Sequence, residues 1–280
     1  MPATRKKLPR LPIALTIAGS DSSGGAGIQA DLKTFQALGV FGMSAITAVT
    51  VQNTQKVYAI QEMTPRIVHD QITCLFADAE IQAVKIGMVS SVALIEAIAA
   101  ALGSGKRPPV VLDPVMVSKS GYALLQPDAR QALMDRLFPL ARVVTPNIPE
   151  AELLVGTEIK DLEQMRMAAR RIVQMGVPNV VVKGGHLGGD RSVDILYDGK
   201  DFVELGDPRI ATRHTHGTGC TFSSAIAAWL ARGCAFPEAV RRAKTYVTGA
   251  IAHALAIGKG HGPTHHFYEL YARAGMKTGC

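Results

Sequence analysis

A chain of 280 residues with 48% hydrophobic and 19% charged residues has enough apolar material for a packed core, which excludes wholesale disorder. No uninterrupted apolar stretch approaches the roughly 18 residues of a membrane span, so we expect no membrane partner. The formal net charge is +7, but aromatic residues make up only 5% and no basic helix is interleaved with them. We therefore expect no nucleic-acid partner either.

The start of the chain and its cysteines bear on where the protein works. The first twelve residues are basic and interrupted by prolines, which favours a frayed tail over a signal peptide, because the apolar region of a signal peptide is absent. The four cysteines lack the spacing of a zinc site or a disulfide framework. A reducing, cytoplasmic location is the expectation that follows.

Strand-like and helix-like segments alternate along the chain. Short apolar runs predict buried strands at 12–19, 43–51, 81–89, 109–115, 141–147 and 179–185. Helical periodicity predicts helices around residues 28–38 and at 66–78, 90–102, 127–138 and 161–175. This order is typical of an α/β fold in which a mostly parallel sheet is covered by helices on both faces.

The last third of the chain departs from the alternation. Residues 192–205 form two strand-like runs around an Asp-Gly turn, which predicts a small hairpin. Helices follow at 219–232 and 238–255. No linker rich in glycine, serine or proline and no internal repeat divides the sequence, so we expect one domain.

The first two predicted strands end in polar residues, where ligands of parallel sheets bind. A turn with glycines 24, 25 and 27 leads into a helix, which suits an anion or polar ligand but also an ordinary strand-to-helix turn. Asp31 is either a substrate ligand or a solvated charge near the helix start. The amide of Gln52 suits a heteroaromatic rim, or the Gln52–Asn53 pair only forms a turn.

Three later strand ends carry charged and amide side chains. Asp113, Asn147 and Glu150 could contribute oxygen ligands to Mg²⁺, and a capping box would equally explain Asn147 with Glu150. Lys183 lies before two glycines and suits phosphate oxygens, although alone this is only another turn.

The segment THGTGC, residues 215–220, precedes the helix predicted at 219–232. Gly217 and Gly219 would aim free N–H groups at a phosphate or a transferring phosphoryl group, or would simply pack a turn. Cys220 would be among the first helical residues, where the helix dipole is expected to lower the pKa of its thiol. The alternative is a small cysteine that packs the helix start.

Eight motifs in this order resemble the hydroxymethylpyrimidine/phosphomethylpyrimidine kinase family of the ribokinase-like superfamily: GSDSSGGAGIQADLKTF, AVTVQNT, KIGM, VLDPVM, TPNIPEAELL, KGGH, HTHGTGCTFSSAIA and GHGPTHHF. The resemblance implies a three-layer α/β/α sandwich over residues 12–268. Residues 1–11 and 269–280 have no clear counterpart and are expected to be tails.

The resemblance also implies roles for residues that match its motifs. The aminopyrimidine pocket corresponds to Gly19, Asp31, Gln52 and Met88. The phosphate-proximal lysine is Lys183, and the positions associated with Mg²⁺ and ATP are Asp113, Asn147 and Glu150. The anion hole corresponds to Gly217, Thr218 and Gly219, with Cys220 in the place of the base.

The function implied is phosphoryl transfer from ATP, with Mg²⁺, to 4-amino-5-hydroxymethyl-2-methylpyrimidine and then to its monophosphate, by a homodimer. A pyridoxal kinase on the same scaffold is the alternative. A non-catalytic regulator that senses these ligands is a third hypothesis, against which the intact Asp113, Glu150, Lys183 and Cys220 argue.

Overall fold

The computed structural model describes residues 10–103, 107–118 and 121–276. Most of the predicted N-terminal tail and the end of the predicted C-terminal tail lie outside these residues. The boundary predicted at residue 268 coincides with the start of the last described helix.

The sheet is mostly parallel, as predicted. In chain order its strands are β1 (Ile13–Asp21), β2 (Phe41–Gln52), β3 (Val57–Glu62), β4 (Ala83–Ile86), β5 (Val110–Leu112), β6 (Val143–Val144), β7 (Val180–Val182), β8 (Arg191–Tyr197) and β9 (Phe202–Pro208). Within the described residues they lie in the order β3-β2-β1-β4-β5-β6-β7-β8-β9. The six central strands, β2, β1, β4, β5, β6 and β7 in spatial order, pair in parallel. At one edge β3 pairs antiparallel with β2, and at the other edge β8 and β9 form antiparallel pairs.

The helices of the described chain lie on both faces of this sheet. They are α1 (Gly27–Ala37), α2 (Pro65–Asp78), α3 (Val92–Leu102), α4 (Ala129–Ala132), α5 (Ile148–Val155), α6 (Leu162–Gln174), α7 (Thr218–Ala231), α8 (Phe236–Ala252) and α9 (Tyr268–Arg273). After α4 the chain continues through a π-helical turn and a 3₁₀ turn as far as Leu140. In these residues no helix is both long and apolar enough to cross a membrane.

Two hydrophobic cores separate the layers. Val110 and Leu112 of β5 pack into the core under α2, α3 and α6, while Val111 between them packs into the core under α1, α7 and α8. Successive strand residues point to opposite faces of a sheet, which explains this alternation. The three-layer α/β/α sandwich is therefore confirmed.

Two differences from the predicted elements have a physical cause. Strand β3 escaped prediction because its apolar run, residues 57–60, is only four residues long and lies at an edge of the sheet where Val57 alone is buried. The strand predicted at 81–89 ends at Ile86, since Met88 and Val89 are buried in the turn that follows the strand and not in the ladder. That turn contributes to the site.

Candidate active site

The carboxyl ends of the strands meet at a cavity of about 700 Å³. Parallel strands share one carboxyl edge, so side chains that are far apart in sequence converge there. Nearly all the residues predicted from the strand ends line this cavity, namely Gly19, Gln52, Met88, Asp113, Asn147, Glu150, Lys183, Gly217, Thr218, Gly219 and Cys220.

The turn before α7 leaves backbone N–H groups at the helix start without partners. Gly217 is the N-cap residue with φ 78°, and no side chain caps the helix. Thr218 N–H donates to the Thr215 carbonyl and Thr221 N–H to the Gly217 carbonyl. In the described part of the chain the N–H groups of Gly219 and Cys220 make no hydrogen bond, as is usual for a first helical turn without a cap. Two donors and the positive end of α7 therefore face the cavity.

The turn at Gly217 packs directly on the glycine turn that follows β1. A Cβ atom placed on Gly217 would lie 1.8 Å from the carbonyl oxygen of Gly25, and one placed on Gly25 would lie 2.4 Å from the ring of His216. Both turns therefore require glycine at the point of contact. Their close approach places the turn at Gly217 next to the glycine turn after β1, which is predicted to bind a polar ligand.

An ion pair lies beside the start of α7. Lys183 Nζ donates to Asp113 Oδ1 over 2.9 Å, and Thr145 and Ser223 donate to the same carboxylate. Burial would raise the pKa of Asp113, but the charge of Lys183, followed by that of Lys85, holds it below its usual value. Burial would likewise lower the pKa of Lys183, which Asp113 and Glu150 raise. The site therefore holds a charged ammonium against a charged carboxylate.

Asn147 and Glu150 form the capping box that the sequence suggested. Asn147 Oδ1 accepts from Glu150 N–H over 2.9 Å, and Glu150 Oε2 accepts from Asn147 N–H over 2.8 Å. Burial raises the pKa of Glu150 to about 7, with Asp113 adding to the shift and Lys183 opposing it. The carboxyl group therefore changes charge near neutral pH while it lines the cavity.

Another part of the cavity lining has the features of a pocket for a flat ring. A Cβ atom on Gly19 would lie 3.1 Å from Met88 Sδ, so glycine leaves room above the methionine. Leu124 and Val115 add apolar wall. Gln52 also lines the cavity, and its Nε2 atom lies 3.4 Å from Nε2 of His216. These residues combine an apolar floor with an amide at its rim.

Asp31 does not line this cavity, and both interpretations of it are wrong. Its side chain is fully buried and accepts hydrogen bonds from Thr16 and Ser224, each over 2.6 Å. Lys85 Nζ completes the group at 2.8 Å. Residues four apart lie on the same side of a helix, so Asp31 shares the buried face of α1 with Phe35, and α1 packs against both the sheet and α7.

Asp21 and His216 are site residues that the sequence reasoning missed. His216 Nε2 lies 2.8 Å from Asp21 Oδ2, and the carboxylate also accepts from the N–H groups of Ser23 and Ala26. Burial would raise the pKa of Asp21, but the bonds from His216 and Ser23 lower it to about 2. Asp21 thus holds the glycine turn closed. Its position as the last residue of β1 was the available signal.

The pKa of the Cys220 thiol is raised, and the prediction that the helix start lowers it is wrong. Burial raises the pKa of Cys220 to about 11, although Lys85 opposes the shift, and the charges of Asp31 and Asp113 add to it. The effect of burial on the pKa therefore exceeds the opposing effect of the helix dipole. At neutral pH Cys220 is a thiol and not a thiolate.

We expect alkylation of Cys220 by iodoacetamide to accelerate about tenfold per pH unit from pH 7 to pH 10 without a plateau, because only the thiolate reacts. The measurement uses a variant with Cys74→Ser, Cys234→Ser and Cys280→Ser, so that Cys220 is the remaining thiol. The same variant with Cys220→Ser should show no labelling. A plateau below pH 9 would show that the thiol ionises more readily than its burial dictates.

Comparison with known proteins identifies the family of this chain. Residues 21–265 match the family model described as phosphomethylpyrimidine kinase. A hydroxymethylpyrimidine/phosphomethylpyrimidine kinase of Rhizobium meliloti is 54% identical over 92% of this chain and 98% of that protein. A thiamine biosynthesis bifunctional protein of Geobacter sulfurreducens is also 54% identical, over 90% of this chain, which spans about half (51%) of that longer protein.

Two solved structures show the same fold. A pyridoxal kinase of Bacillus subtilis in complex with ADP superposes with a TM-score of 0.87 at 41% identity, covering 93% of this chain and 100% of that chain. A phosphomethylpyrimidine kinase of Clostridium difficile superposes with a TM-score of 0.75 at 48% identity, covering 85% and 99%. The match over most of the chain places this protein in the phosphomethylpyrimidine kinase family.

Proposed function

We propose that the protein transfers the γ-phosphoryl group of ATP to 4-amino-5-hydroxymethyl-2-methylpyrimidine and then to the resulting monophosphate. The observation that carries the proposal is one cavity lined both by the uncapped start of α7 with Lys183 and by Gly19, Gln52 and Met88. A donor phosphate and a flat, polar-rimmed acceptor would then meet between them. Phosphoryl transfer depends mainly on such positioning and on charge stabilisation.

In each transfer the hydroxymethyl or phosphate oxygen of the pyrimidine bonds to the γ-phosphorus, and the bond from that phosphorus to the β–γ bridging oxygen breaks. The N–H groups of Gly219 and Cys220, with Thr218 and Gly217 shaping the turn, stabilise the negative charge of the transferring group. Lys183 supplies a cation beside the turn, since its Nζ lies 3.4 Å from where a Cβ atom on Gly219 would be. Asn147 lines the part of the cavity assigned to ATP.

Cys220 has the smaller part in this mechanism. A base must hold a free lone pair when the acceptor hydroxyl loses its proton, and a thiol with a pKa of about 11 is protonated at neutral pH. In a loose transition state the hydroxyl keeps its proton until the new bond is well formed, and the proton then passes to an oxygen of the transferred phosphoryl group or to water, so a strong base is not required. We therefore assign most of the rate enhancement to the backbone of the turn and to Lys183.

The carboxylates fit Mg²⁺ as a companion of ATP. Among the described residues no cluster of three or more histidine, cysteine, aspartate or glutamate side chains offers a closed metal site. Mg²⁺ is usually held by one or two carboxylates and takes its other ligands from phosphates and water. Asp113 and Glu150 would hold it, and it would neutralise charge on the phosphates.

We further propose that the protein acts as a homodimer in the cytoplasm. Apolar side chains on the β2–β3 edge of the sheet are exposed, among them Val49, Val51 and Tyr58. Such a surface is typical of a contact between subunits. The described cysteines are free thiols, as a reducing compartment would keep them.

Pyridoxal is the competing acceptor, because the pyridoxal kinase of Bacillus subtilis has the same fold. We expect kcat/KM for the hydroxymethylpyrimidine to exceed that for pyridoxal by at least about tenfold, as an amide rim matched to the aminopyrimidine discriminates by hydrogen bonds. Both constants can be measured by coupling ADP release to NADH oxidation. A preference of tenfold or more for pyridoxal would overturn the proposed substrate. A purified protein inactive with any hydroxymethyl heterocycle would instead favour a ligand-sensing regulator.

A further inference from the structure

Asp31 is the centre of a buried polar group that joins four elements of the fold. Its carboxylate, on α1, accepts from Thr16 of β1, from Lys85 of β4 and from Ser224 of α7. All four side chains are completely buried. We call these four residues the Asp31 cluster. It ties α1 and α7 to two neighbouring strands in the middle of the sheet.

Each partner of Asp31 lies three or four residues along the chain from a residue that lines the cavity. Thr16 is three residues before Gly19, Lys85 is three residues before Met88, and Ser224 is one helical turn after Cys220. The cluster is therefore continuous in the chain with Gly19, Met88 and Cys220, which line the cavity. It contacts the backbone segments that present the acceptor pocket and the phosphate-binding turn.

The stability of the fold does not by itself explain the cluster. Burying an ammonium and a carboxylate carries a large desolvation penalty, so that apolar side chains of the same volume often give an equally stable or more stable protein. The pair is also tightly packed, because a Cβ atom on Gly87 would lie 2.5 Å from Lys85 Nζ. Apolar side chains in its place would pack without the directional hydrogen bonds that the cluster makes. Hydrogen bonds to a fixed carboxylate set the position of α7 relative to β1 and β4.

We propose that Asp31 and Lys85 are positioning residues that hold the start of α7 in place above the strand ends during phosphoryl transfer. The carboxylate fixes Ser224 and thereby the direction of the Gly219 and Cys220 N–H groups, while Thr16 and Lys85 fix the segments that lead to Gly19 and Met88. The inference rests on the proposed function, since it assigns the turn its role in transfer. Displacements of about 1 Å at such a turn are enough to lower a rate strongly.

The first test removes single hydroxyl groups of the cluster and compares them with a matched control. Ser224→Ala and Thr16→Val each delete one hydrogen bond to Asp31. We expect kcat to fall by about tenfold while KM for ATP and for the pyrimidine change by less than about twofold, the signature of an interaction that matters in the transition state. The control is Thr34→Val, which deletes a buried hydroxyl of the same helix α1 that donates to the Ala30 carbonyl and bonds with Tyr246 of α8, outside the Asp31 cluster. It should lower Tm by a comparable amount and leave kcat within about twofold.

The second test removes both charges together, because Lys85→Met alone would leave an unpaired buried carboxylate and could unfold the protein. In the double variant Asp31→Asn/Lys85→Met we expect a Tm near that of the parent with kcat lowered by at least about tenfold. Parental kcat in this folded variant, or an equal loss of kcat in Thr34→Val, would overturn the positioning role. A parent enzyme that phosphorylates neither pyrimidine would overturn the proposed function instead, so the two failures are distinguishable.

Discussion

Gly217→Ala is expected to lower kcat/KM for the pyrimidine by about a hundredfold or more, since both the backbone conformation and the space at this position require glycine. The residue has φ 78°, which side-chain-bearing residues rarely adopt. The new Cβ atom would lie 1.8 Å from the Gly25 carbonyl oxygen, and this neighbour is backbone that cannot rotate away. Relief of the clash must separate the two glycine turns or tilt the start of α7, and either movement misdirects the N–H donors.

The matched control for this variant lies at the other end of the same helix. Gly233 has φ 82°, but a Cβ atom there would have no neighbour within 4 Å. Gly233→Ala therefore carries the conformational strain, about 1 kcal/mol, without the clash. We expect it to lower Tm slightly and to leave kcat/KM unchanged. Steady-state kinetics and thermal melts of both variants separate the effect of backbone strain from the effect of misdirected N–H donors. Equal losses of activity in the two variants would contradict the role assigned to the Gly217 turn.

Lys183→Met is the second change with a large expected effect, a fall in kcat of about a thousandfold. The lysine is the cation bound to Asp113 beside the start of α7, and its loss removes positive charge where negative charge is transferred. It also leaves Asp113 buried at 2% exposure without its ion-pair partner. Single-turnover kinetics at saturating ATP should show that the chemical step itself is slowed.

Lys244→Met serves as the comparison for Lys183→Met. Lys244 Nζ forms a similarly buried pair with Asp194 at 2.9 Å and also lines the cavity, but away from the turn at Gly217. Loss of this pair should lower Tm by as much or more, with kcat reduced by less than about tenfold. If Lys244→Met slowed the reaction as severely as Lys183→Met, general destabilisation and not a specific charge would explain both.

The regular pattern of the chain was sufficient to predict where the site lies. Parallel strands bring their carboxyl ends to one edge, so the polar residues after β1, β2, β4, β5, β6 and β7 had to meet if the strands were predicted correctly. The same argument placed the glycine turn before α7, because helix starts bind anions through free N–H groups. Local chemistry also identified the Asn147–Glu150 capping box, since its partners are three residues apart.

Contacts between distant elements were not predictable in this way. Asp31 lies four residues before Phe35 and therefore on the same, buried face of α1, but its charge favours a solvated or substrate-binding position. The sequence does not show which partners from the sheet and α7 surround the carboxylate. Its partner Lys85 lies in a strand, where a lysine between apolar residues gives no sign of the carboxylate 54 positions earlier in the chain. The pKa of Cys220 depended on the same packing, since burial opposes the helix dipole and prevails.

The most direct test of the central claim is the identity and stoichiometry of the products formed from the hydroxymethylpyrimidine with ATP and Mg²⁺. ADP release followed together with mass spectrometry of the pyrimidine should show the monophosphate first and the diphosphate next, with two equivalents of ADP per pyrimidine at completion. The monophosphate supplied as the substrate should release one equivalent. ADP release that never exceeds the rate without acceptor, for either form of the pyrimidine, would contradict the account.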